Sequence, residues 1–363
     1  MVVGSGSAAA LNSSGTGGRL RIAVLNNAVP FIWGGAEALA ENLNRELSLR
    51  GHDVEVFRYP LTWGSPADVQ RALVAAQLLE VPDADIVIPL KFPVYGIPHP
   101  HRRIWLLHQF RQVYDFRGTP HQGYPPGPEY ERLCATIEAF DQENLRSADR
   151  IFCNAHVTQR RLAQFSNIGS EVLVCPVNSP ERFQSGAYED FYLAAGRIDS
   201  AKRQHDVLAA YLASTCSTRL VIMGPPQLPS DAERLVEAVK SHPRGHKVDL
   251  RLRFVDEEEK LDFFSRARAV IYAPVDEDSY GYVAMEAAQS RRAVITSSDS
   301  GGIADFVNQG VSGLVAANVT DGLSEAFVTL DDPGLAEQMG QASRQRLDDL
   351  GLSWGATLDR LLA

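Results

Sequence analysis

The sequence predicts an α/β protein made of two doubly wound parallel sheets that face each other across a cleft. Three observations support this prediction. The chain has 363 residues, more than one compact core usually holds. Short apolar runs alternate with helical patterns, as in strand–helix–strand units of a parallel sheet. The alternation restarts near the middle of the chain, so we expect two similar halves.

The first half is predicted from its apolar periodicity. Residues 20–26 (LRIAVLN) are an apolar run typical of a buried strand. Residues 34–51 place Leu39, Leu43 and Leu47 four apart, which indicates a helix that ends at a glycine. Further strands are predicted at 52–57, 85–90, 103–108, 150–155 and 172–177.

The second half repeats the pattern after a junction at residues 178–183. A strand at 191–197 is followed by a helix at 203–214 and by another strand at 219–224. Strands are also predicted at 250–255, 268–274 and 292–297. Ligands bind such sheets at the carboxyl ends of the strands and beside helix N-termini, so residues at those ends are our candidates for function.

Composition excludes several classes of protein. A net charge of -10 argues against nucleic acid as the main partner, because a surface that follows phosphates needs a basic excess. No apolar stretch reaches the roughly 20 residues of a membrane helix. Residues 1–18 are rich in Gly, Ser and Ala and lack the pattern of a signal peptide, so we expect a flexible tail. The cysteines are widely spaced and are expected to be buried free thiols: Cys134, Cys153, Cys175 and Cys216.

The segment VDEDSYGYVAMEAAQS, residues 275–290, is predicted to be a strand exit loop followed by a helix. The backbone amides of Ser279, Tyr280 and Gly281 then lie at a helix start, which favours anions. Asp278 and Glu286 are carboxylates that accept hydrogen bonds from sugar hydroxyls. The alternative is a helix-terminal charge at Asp278 and a half-exposed surface residue at Glu286.

Two cations follow the first strand of the second half. Arg197 stands just past that strand and Lys202 precedes the next helix, a pattern that suits a diphosphate. Two solvated surface cations are the alternative. The acids 276–278 resemble the acid pair of some metal-dependent sugar transferases, but we expect no metal because this cationic pair already neutralises phosphate.

Two further candidates belong to the first half. Gly34 and Gly35 precede the first helix and let the backbone approach a phosphate or a sugar closely, although a plain tight turn is equally compatible. His108 ends an apolar strand, so its ring is expected in the cleft. A hydrogen-bonded core histidine is the alternative.

These motifs together resemble the retaining, nucleotide-sugar-dependent glycosyltransferases of family 4, which have the two-Rossmann GT-B architecture. The strongest part is residues 254–315, similar to the family's E-x7-E helix and the glycine-rich segment after it. GRIDSAK (196–202) resembles the family's donor motif, GGAE (34–37) its N-terminal glycine loop, and residues 352–362 its closing helix.

The resemblance implies a role for each candidate. Arg197 and Lys202 hold the donor diphosphate, Glu286 the ribose hydroxyls, and Asp278 with the amides of residues 279–281 the donor sugar. His108 contacts that sugar from the acceptor side, and the backbone near Phe254 and Val255 meets the base. The implied domains are an acceptor-side domain, 19–179, a donor domain, 180–345, and a returning helix, 346–363. The family mechanism is a same-face exchange in which the leaving phosphate takes the acceptor proton.

Other features of the reaction stay open at this stage. The expected donor is a UDP or GDP sugar with no cofactor, and the acceptor is a glycan, a lipid-linked glycan or a small molecule. The expected location is cytoplasmic, which includes the inner face of a membrane. Asp278 is one methylene shorter than the family's glutamate, which puts the sugar's identity in question. A non-catalytic sugar-nucleotide or polysaccharide-binding protein and an epimerase remain alternatives, whereas a dinucleotide oxidoreductase lacks its glycine motif after the first strand.

Overall fold

The computed structural model of the protein describes residues 18–28 and 34–363. The tail predicted at 1–18 lies outside these residues except for Gly18, and residues 29–33 before the glycine pair also lie outside them.

The first half of the described chain forms a parallel sheet with helices packed on it. Its strands are β1 Arg21–Ala28, β2 Asp53–Pro60, β3 Ile86–Pro89, β4 Arg103–Leu106, β5 Arg150–Cys153 and β6 Glu171–Val172. Its helices are α1 Gly35–Leu49, α2 Pro66–Leu78, α3 Pro128–Arg146 and α4 His156–Ser166. The strand orders are β2-β1-β3 and β4-β5-β6, and a parallel bridge between Val87 and Arg102 joins β3 to β4. The first half therefore reads as one sheet.

The second half is a six-stranded sheet with the order β12-β11-β10-β7-β8-β9. Its strands are β7 Phe191–Ala195, β8 Arg219–Met223, β9 Val248–Arg251, β10 Ala269–Ile271, β11 Ala293–Ser297 and β12 Gly313–Ala316, and all pairs are parallel. Its helices are α5 Gln204–Ala213, α6 Pro229–Ser241, α7 Glu257–Arg266, α8 Tyr282–Gln289, α9 Gly302–Phe306, α10 Asp321–Thr329 and α11 Pro333–Asp349. The chain order reverses between β7 and β10, and such a switch point is where doubly wound sheets bind ligands. The predicted fold class is confirmed.

The last helix, α12 Trp354–Leu362, packs on the first half. Trp354, Leu358 and Leu361 are buried in one cluster with Trp105 of β4. The Arg50 guanidinium is 2.6 Å from the Asp359 carboxylate and donates to the Gly355 carbonyl. The returning segment predicted from residue 346 starts later, because residue 346 lies inside α11.

Asp141 of α3 is the centre of a buried polar cluster in the first half. Its carboxylate accepts hydrogen bonds from the hydroxyls of Tyr95 (2.6 Å) and Tyr114 (2.8 Å) and from the side-chain amide of Gln109 (2.9 Å). Gln109 and Tyr114 lie in the loop after β4. Asp141 therefore ties that loop to the core, and the loop begins next to His108.

Several strand predictions are too long. The run predicted at 172–177 is a strand only at Glu171–Val172, the run predicted at 250–255 ends at Arg251, and the run predicted at 268–274 is a strand only at Ala269–Ile271. The runs predicted at 103–108 and 150–155 each end two residues earlier than expected. His108 lies two residues beyond β4 and not within it. None of the described helices is both long and apolar enough to cross a membrane.

Candidate functional site

A cavity of about 470 Å³ lies between the two halves, at the carboxyl ends of their strands. The first half contributes the start of α1, Lys91 after β3 and His108 after β4. The second half contributes Arg197 after β7 and residues 277–280 after β10. Another cavity, of about 490 Å³, lies at the amino ends of β1 and β2 and is lined by acids such as Glu80 and Asp83. Position favours the first cavity, because doubly wound sheets bind ligands at the carboxyl ends of their strands.

The cavity brings together many of the residues predicted from the sequence. Those that line it are Gly34, Gly35, His108, Arg197, Asp278, Ser279 and Tyr280. The other predicted residues lie outside the lining of this cavity in the described chain: Lys202, Gly281, Glu286, Phe254 and Val255.

Lys202 reaches the cavity through Glu277. Its ammonium is 2.5 Å from the Glu277 carboxylate and 2.9 Å from the Tyr272 hydroxyl. Burial alone would lower the pKa of Lys202, but Tyr272 and Glu277 outweigh burial, so its pKa is raised and the ammonium stays charged. Glu277 itself lines the cavity, so this ion pair stands at its wall.

Arg197 has a free end toward the same space. Its Nε donates to Asp199 at 2.9 Å, and its terminal nitrogens have no partner among the described residues. Asp199 also accepts the backbone N–H of Lys202 at 2.8 Å. One carboxylate therefore organises both predicted cationic residues at the end of β7.

His108 is held as a neutral hydrogen-bond acceptor. Its Nδ1 is 2.7 Å from the Gln109 carbonyl, and because a carbonyl only accepts, Nδ1 carries the proton and Nε2 is left as an acceptor. Burial, helped by the nearby Lys91 ammonium, lowers the pKa of His108 to about 4. At neutral pH the ring is therefore uncharged and presents Nε2 as a hydrogen-bond acceptor.

Lys91 is a cavity residue that the sequence analysis missed. It directly follows the strand predicted at 85–90, so the rule that singled out His108 and Arg197 would have found it. Its ammonium is 3.7 Å from the Glu37 carboxylate, and burial, opposed by Glu37, lowers the pKa of Lys91. Glu37 also accepts the backbone N–H of Gly34 at 2.9 Å. Lys91 and Glu37 thus brace the glycine pair at the start of α1.

Asp278 lines the cavity, and its carboxylate is paired with two arginines of the first half. The carboxylate is 2.5 Å from Arg161 and 3.0 Å from Arg111. Burial, opposed by these arginines, raises the pKa of Asp278 to about 7. The role predicted for Asp278 at the donor sugar stays a prediction, and the acid that pairs with Lys202 is Glu277. Asp276, of the supposed metal-type pair, is bound by the same two arginines.

The start of α8 presents backbone donors to the cavity. The backbone N–H groups of Ser279 and Tyr280 have no acceptor among the described residues, whereas that of Gly281 donates to the Ser279 hydroxyl at 3.1 Å. Gly281 has φ +73, and a Cβ there would lie 2.6 Å from the Tyr272 ring. Only glycine fits this position without strain.

Glu286 lies further along α8. Its carboxylate is 3.0 Å from the Lys260 ammonium, and burial, opposed by Lys260, raises its pKa. Phe254 lies beyond β9 with 79% of its surface exposed, and Val255 packs against the core of the second half. The roles predicted for these three residues stay predictions.

Comparisons with known proteins agree with this architecture. Residues 178–346 match the family model described as Glycosyl transferases group 1. The chain is 33% identical to glycogen synthase from Mycobacterium tuberculosis over 174 residues. The matched segment is 46% of this chain and 39% of that protein. The chain therefore matches about two fifths of the length of this curated relative.

Solved structures resemble nearly the whole chain. Sucrose-phosphate synthase from Thermosynechococcus elongatus has a TM-score of 0.75 and 18% identity and covers 94% of this chain and 97% of its own. A glycosyltransferase from Rickettsia africae has a TM-score of 0.69 and 14% identity over 95% and 97%. Anabaena HepE, solved in complex with UDP-glucose, has a TM-score of 0.68 and 12% identity over 95% and 98%. At these identities the likeness establishes a shared GT-B fold.

Proposed function

We propose that this chain, whose residues 178–346 belong to the glycosyl transferases group 1 family, is a retaining glycosyltransferase. It transfers a sugar from a nucleotide-diphosphate sugar to the hydroxyl of a glycan, a lipid-linked glycan or a small molecule. The observation that carries this proposal is the placement of Arg197 and Lys202 at the switch point of the second sheet, beside a cavity that opens between the halves.

The donor diphosphate fits the charges at this wall. The free terminal nitrogens of Arg197 bind one phosphate, since a guanidinium matches two phosphate oxygens at once. Lys202 turns from Glu277 toward the other, and the free amides of Ser279 and Tyr280 add fixed dipoles. Glu286 then binds the ribose, and binding displaces Lys260 from its carboxylate. A UDP donor is favoured, because HepE was solved with UDP-glucose.

The reaction needs no proton from the protein. The bond from the anomeric carbon to the phosphate oxygen breaks, and the bond to the acceptor oxygen forms on the same face. The acceptor proton passes to the leaving phosphate oxygen, and the products are the nucleoside diphosphate and the glycoside. Arg197, Lys202 and the helix-start amides stabilise the charge that grows on the phosphate. His108 Nε2 accepts a hydrogen bond from a hydroxyl of the transferred sugar and orients it.

A thermal-shift panel of UDP, GDP, ADP and their sugars tests the donor. A ligand present at 100 times its Kd adds about 2.7 kcal/mol to stability. We expect one nucleoside diphosphate to stabilise the chain more than the others. No shift with any of them at millimolar concentration would contradict the proposal.

Transfer is tested with the donor selected by the panel and a set of acceptors. Arg197→Ala and Lys202→Ala should each lower turnover by about two orders of magnitude, the usual effect of losing one such charge stabiliser. Lys240→Ala removes an exposed lysine of the same half and should leave turnover unchanged. An NMR spectrum of the product reports whether the anomeric configuration is retained. Binding without any transfer would identify a non-catalytic sugar-nucleotide-binding protein instead.

A further inference from the structure

Four side chains form a closed ring of ion pairs between the two halves. Arg111, from the loop after β4, and Arg161, from α4, belong to the first half, whereas Asp276 and Asp278 belong to the loop after β10. Arg111 is 2.8 Å from Asp276 and 3.0 Å from Asp278, and Arg161 is 2.5 Å from each carboxylate. Each arginine thus binds both acids, and each acid binds both arginines. We call this ring the arginine clamp.

Three of the four side chains of the clamp are shielded from water. Side-chain exposure is 13% for Arg111, 16% for Arg161 and 11% for Asp278, whereas Asp276 is 35% exposed. Asp115 braces the ring from the first half, with its carboxylate 2.6 Å from Arg111 and 3.6 Å from Arg161. Removing one partner of such a pair leaves a buried charge uncompensated, which is costly. The ring therefore strongly favours one arrangement of the two halves at this point.

The clamp acts on the loop that forms one wall of the cavity. Asp276 and Asp278 flank Glu277, the partner of Lys202, and Asp278 is followed by Ser279 and Tyr280, which line the cavity. The Thr158 hydroxyl of α4 donates to the Asp278 carbonyl at 2.9 Å. Asp276 has a positive φ, +45, so the loop holds a conformation that other contacts must maintain. Backbone hydrogen bonds within the second half hold residues 275–277, and the first half adds the side-chain contacts to Asp276 and Asp278.

We propose that Arg111 and Arg161 are positioning residues for transfer. They hold loop 275–281 of the second half against the first half. The donor-sugar side of the cavity is therefore complete only when the halves are clamped. The role in transfer rests on the proposed function. The clamping itself does not, because it follows from the ion pairs alone. Arg197 and Lys202, the cations proposed for the diphosphate, are not part of the ring. Nucleotide affinity should therefore depend on the clamp only through the amides of Ser279 and Tyr280, and it should fall much less than kcat.

Arg161→Gln and its neighbour Arg160→Gln form the test pair. Arg160 also makes an ion pair between the halves, at 3.1 Å to Asp305, but its side chain is 62% exposed, and exposed pairs contribute little. Arg161→Gln should lower kcat about 10- to 100-fold, the usual effect of a small misplacement. It should leave the affinity for UDP or GDP, whichever the panel selects, within about two-fold. Arg160→Gln should match the wild type in both measurements.

A double mutant separates clamping from general destabilisation. Asp276→Asn and Arg161→Gln break the same ring, so the double variant should lose no more activity than the worse single variant. Three results would each overturn the proposal. The first is a double variant whose loss of activity is the product of the two single losses, and the second is equal activity of Arg161→Gln and Arg160→Gln. The third is a loss of nucleotide affinity as large as the loss of kcat. Arg111→Gln repeats the test if Arg161→Gln does not fold.

The clamp can also be measured without any reaction. Spin labels on Thr136→Cys and Glu325→Cys, which replace exposed residues of the two halves, report the distance between them, since the native cysteines are buried. We expect Arg161→Gln to broaden that distance distribution and Arg160→Gln to leave it unchanged. Equal distributions would overturn the clamp. If the wild type transfers no sugar, this measurement still decides the clamp, and only the proposed function fails.

Discussion

The pKa of Asp141 offers a quantitative test of how the core holds the loop after β4. Its carboxylate is fully buried, and burial, opposed by the hydrogen bonds from Tyr95, Gln109 and Tyr114, raises its pKa from 3.8 to about 6. The folded protein thus holds this proton more tightly than the unfolded chain. The stabilisation is complete below about pH 4 and is lost as the pH rises through about 6. A displacement of about two pKa units corresponds to about 3 kcal/mol.

The perturbation is Asp141→Asn, which keeps the shape of the side chain and removes the titration. We expect the free energy of unfolding of the wild type minus that of the variant to fall by about 3 kcal/mol between pH 4 and pH 7. Urea unfolding followed by tryptophan fluorescence suits the measurement. Trp63 and Trp105 lie in the first half, and Trp354 packs against it.

Glu143→Gln is the matched control, since it removes an exposed carboxylate from the same helix. The change in its free energy of unfolding with pH is subtracted before the effect of Asp141→Asn is evaluated. A wild-type-minus-variant difference that is flat with pH, or that rises between pH 4 and pH 7, would refute the reasoning. Either result would mean that the three hydrogen bonds outweigh burial.

Three other predictions concern the site and its support. The pKa of His108 is lowered to about 4, so the pH–rate profile should show no ionisation of His108 near 6.5. His108→Gln should lower kcat about ten-fold, the scale of one hydrogen bond. The shape of the pH–rate profile should stay the same in this variant. Gly96→Ala should lower the Tm sharply, because the added Cβ would lie 2.1 Å from the Phe140 ring. The control Gly169→Ala should leave the Tm unchanged, because the added Cβ meets open space. Calorimetry measures both Tm values. Replacing residues 116–127 with a Gly/Ser linker should change the acceptor preference in a transfer assay but not the affinity for the nucleotide.

Most of the fold could be predicted because each strand of a buried parallel sheet is an apolar run of its own. β7 and β8 fall where the runs FYLAA and RLVIM stand. The errors arose where a strand's length depends on its neighbour. β9 pairs with β8 only as far as Met223 opposite Arg251, so the alternating residues that follow have no partner. β6 likewise stops because β5 ends at Cys153.

The site was predictable where function follows a strand end. Arg197 and His108, which line the cavity, were found in this way, and Lys91 was open to the same rule. The glycine pair was found from its place before the first helix. Arg161 was not, because it lies inside a helix and nothing in the local sequence marks it. Its role comes from acids more than one hundred residues away, and a contact of that kind exists only once both halves are assembled.

The three consecutive acids Asp276, Glu277 and Asp278 have partners that spacing along the sequence does not reveal. Counting eight residues back from Glu286 selects Asp278. In the folded loop, however, Asp276 and Asp278 both bind Arg111 and Arg161, whereas Glu277 binds Lys202. Asp276 and Asp278 therefore share a side, and Glu277 faces the other.

The neighbouring segment at Gly301 determines which side of the loop each of these three acids faces. The backbone N–H of Gly302 donates to the Glu277 carbonyl at 2.8 Å, and a Cβ on Gly301 would lie 2.3 Å from that carbonyl oxygen. Glycine at 301 therefore permits the close approach that sets which acids face the arginines and which faces Lys202. A shift of one residue in this loop would exchange the partners of all three acids. It would place two carboxylates beside Lys202 and leave Arg111 and Arg161 with one acid of the loop besides Asp115. The charges on the two sides thus favour the observed register together with the backbone contacts.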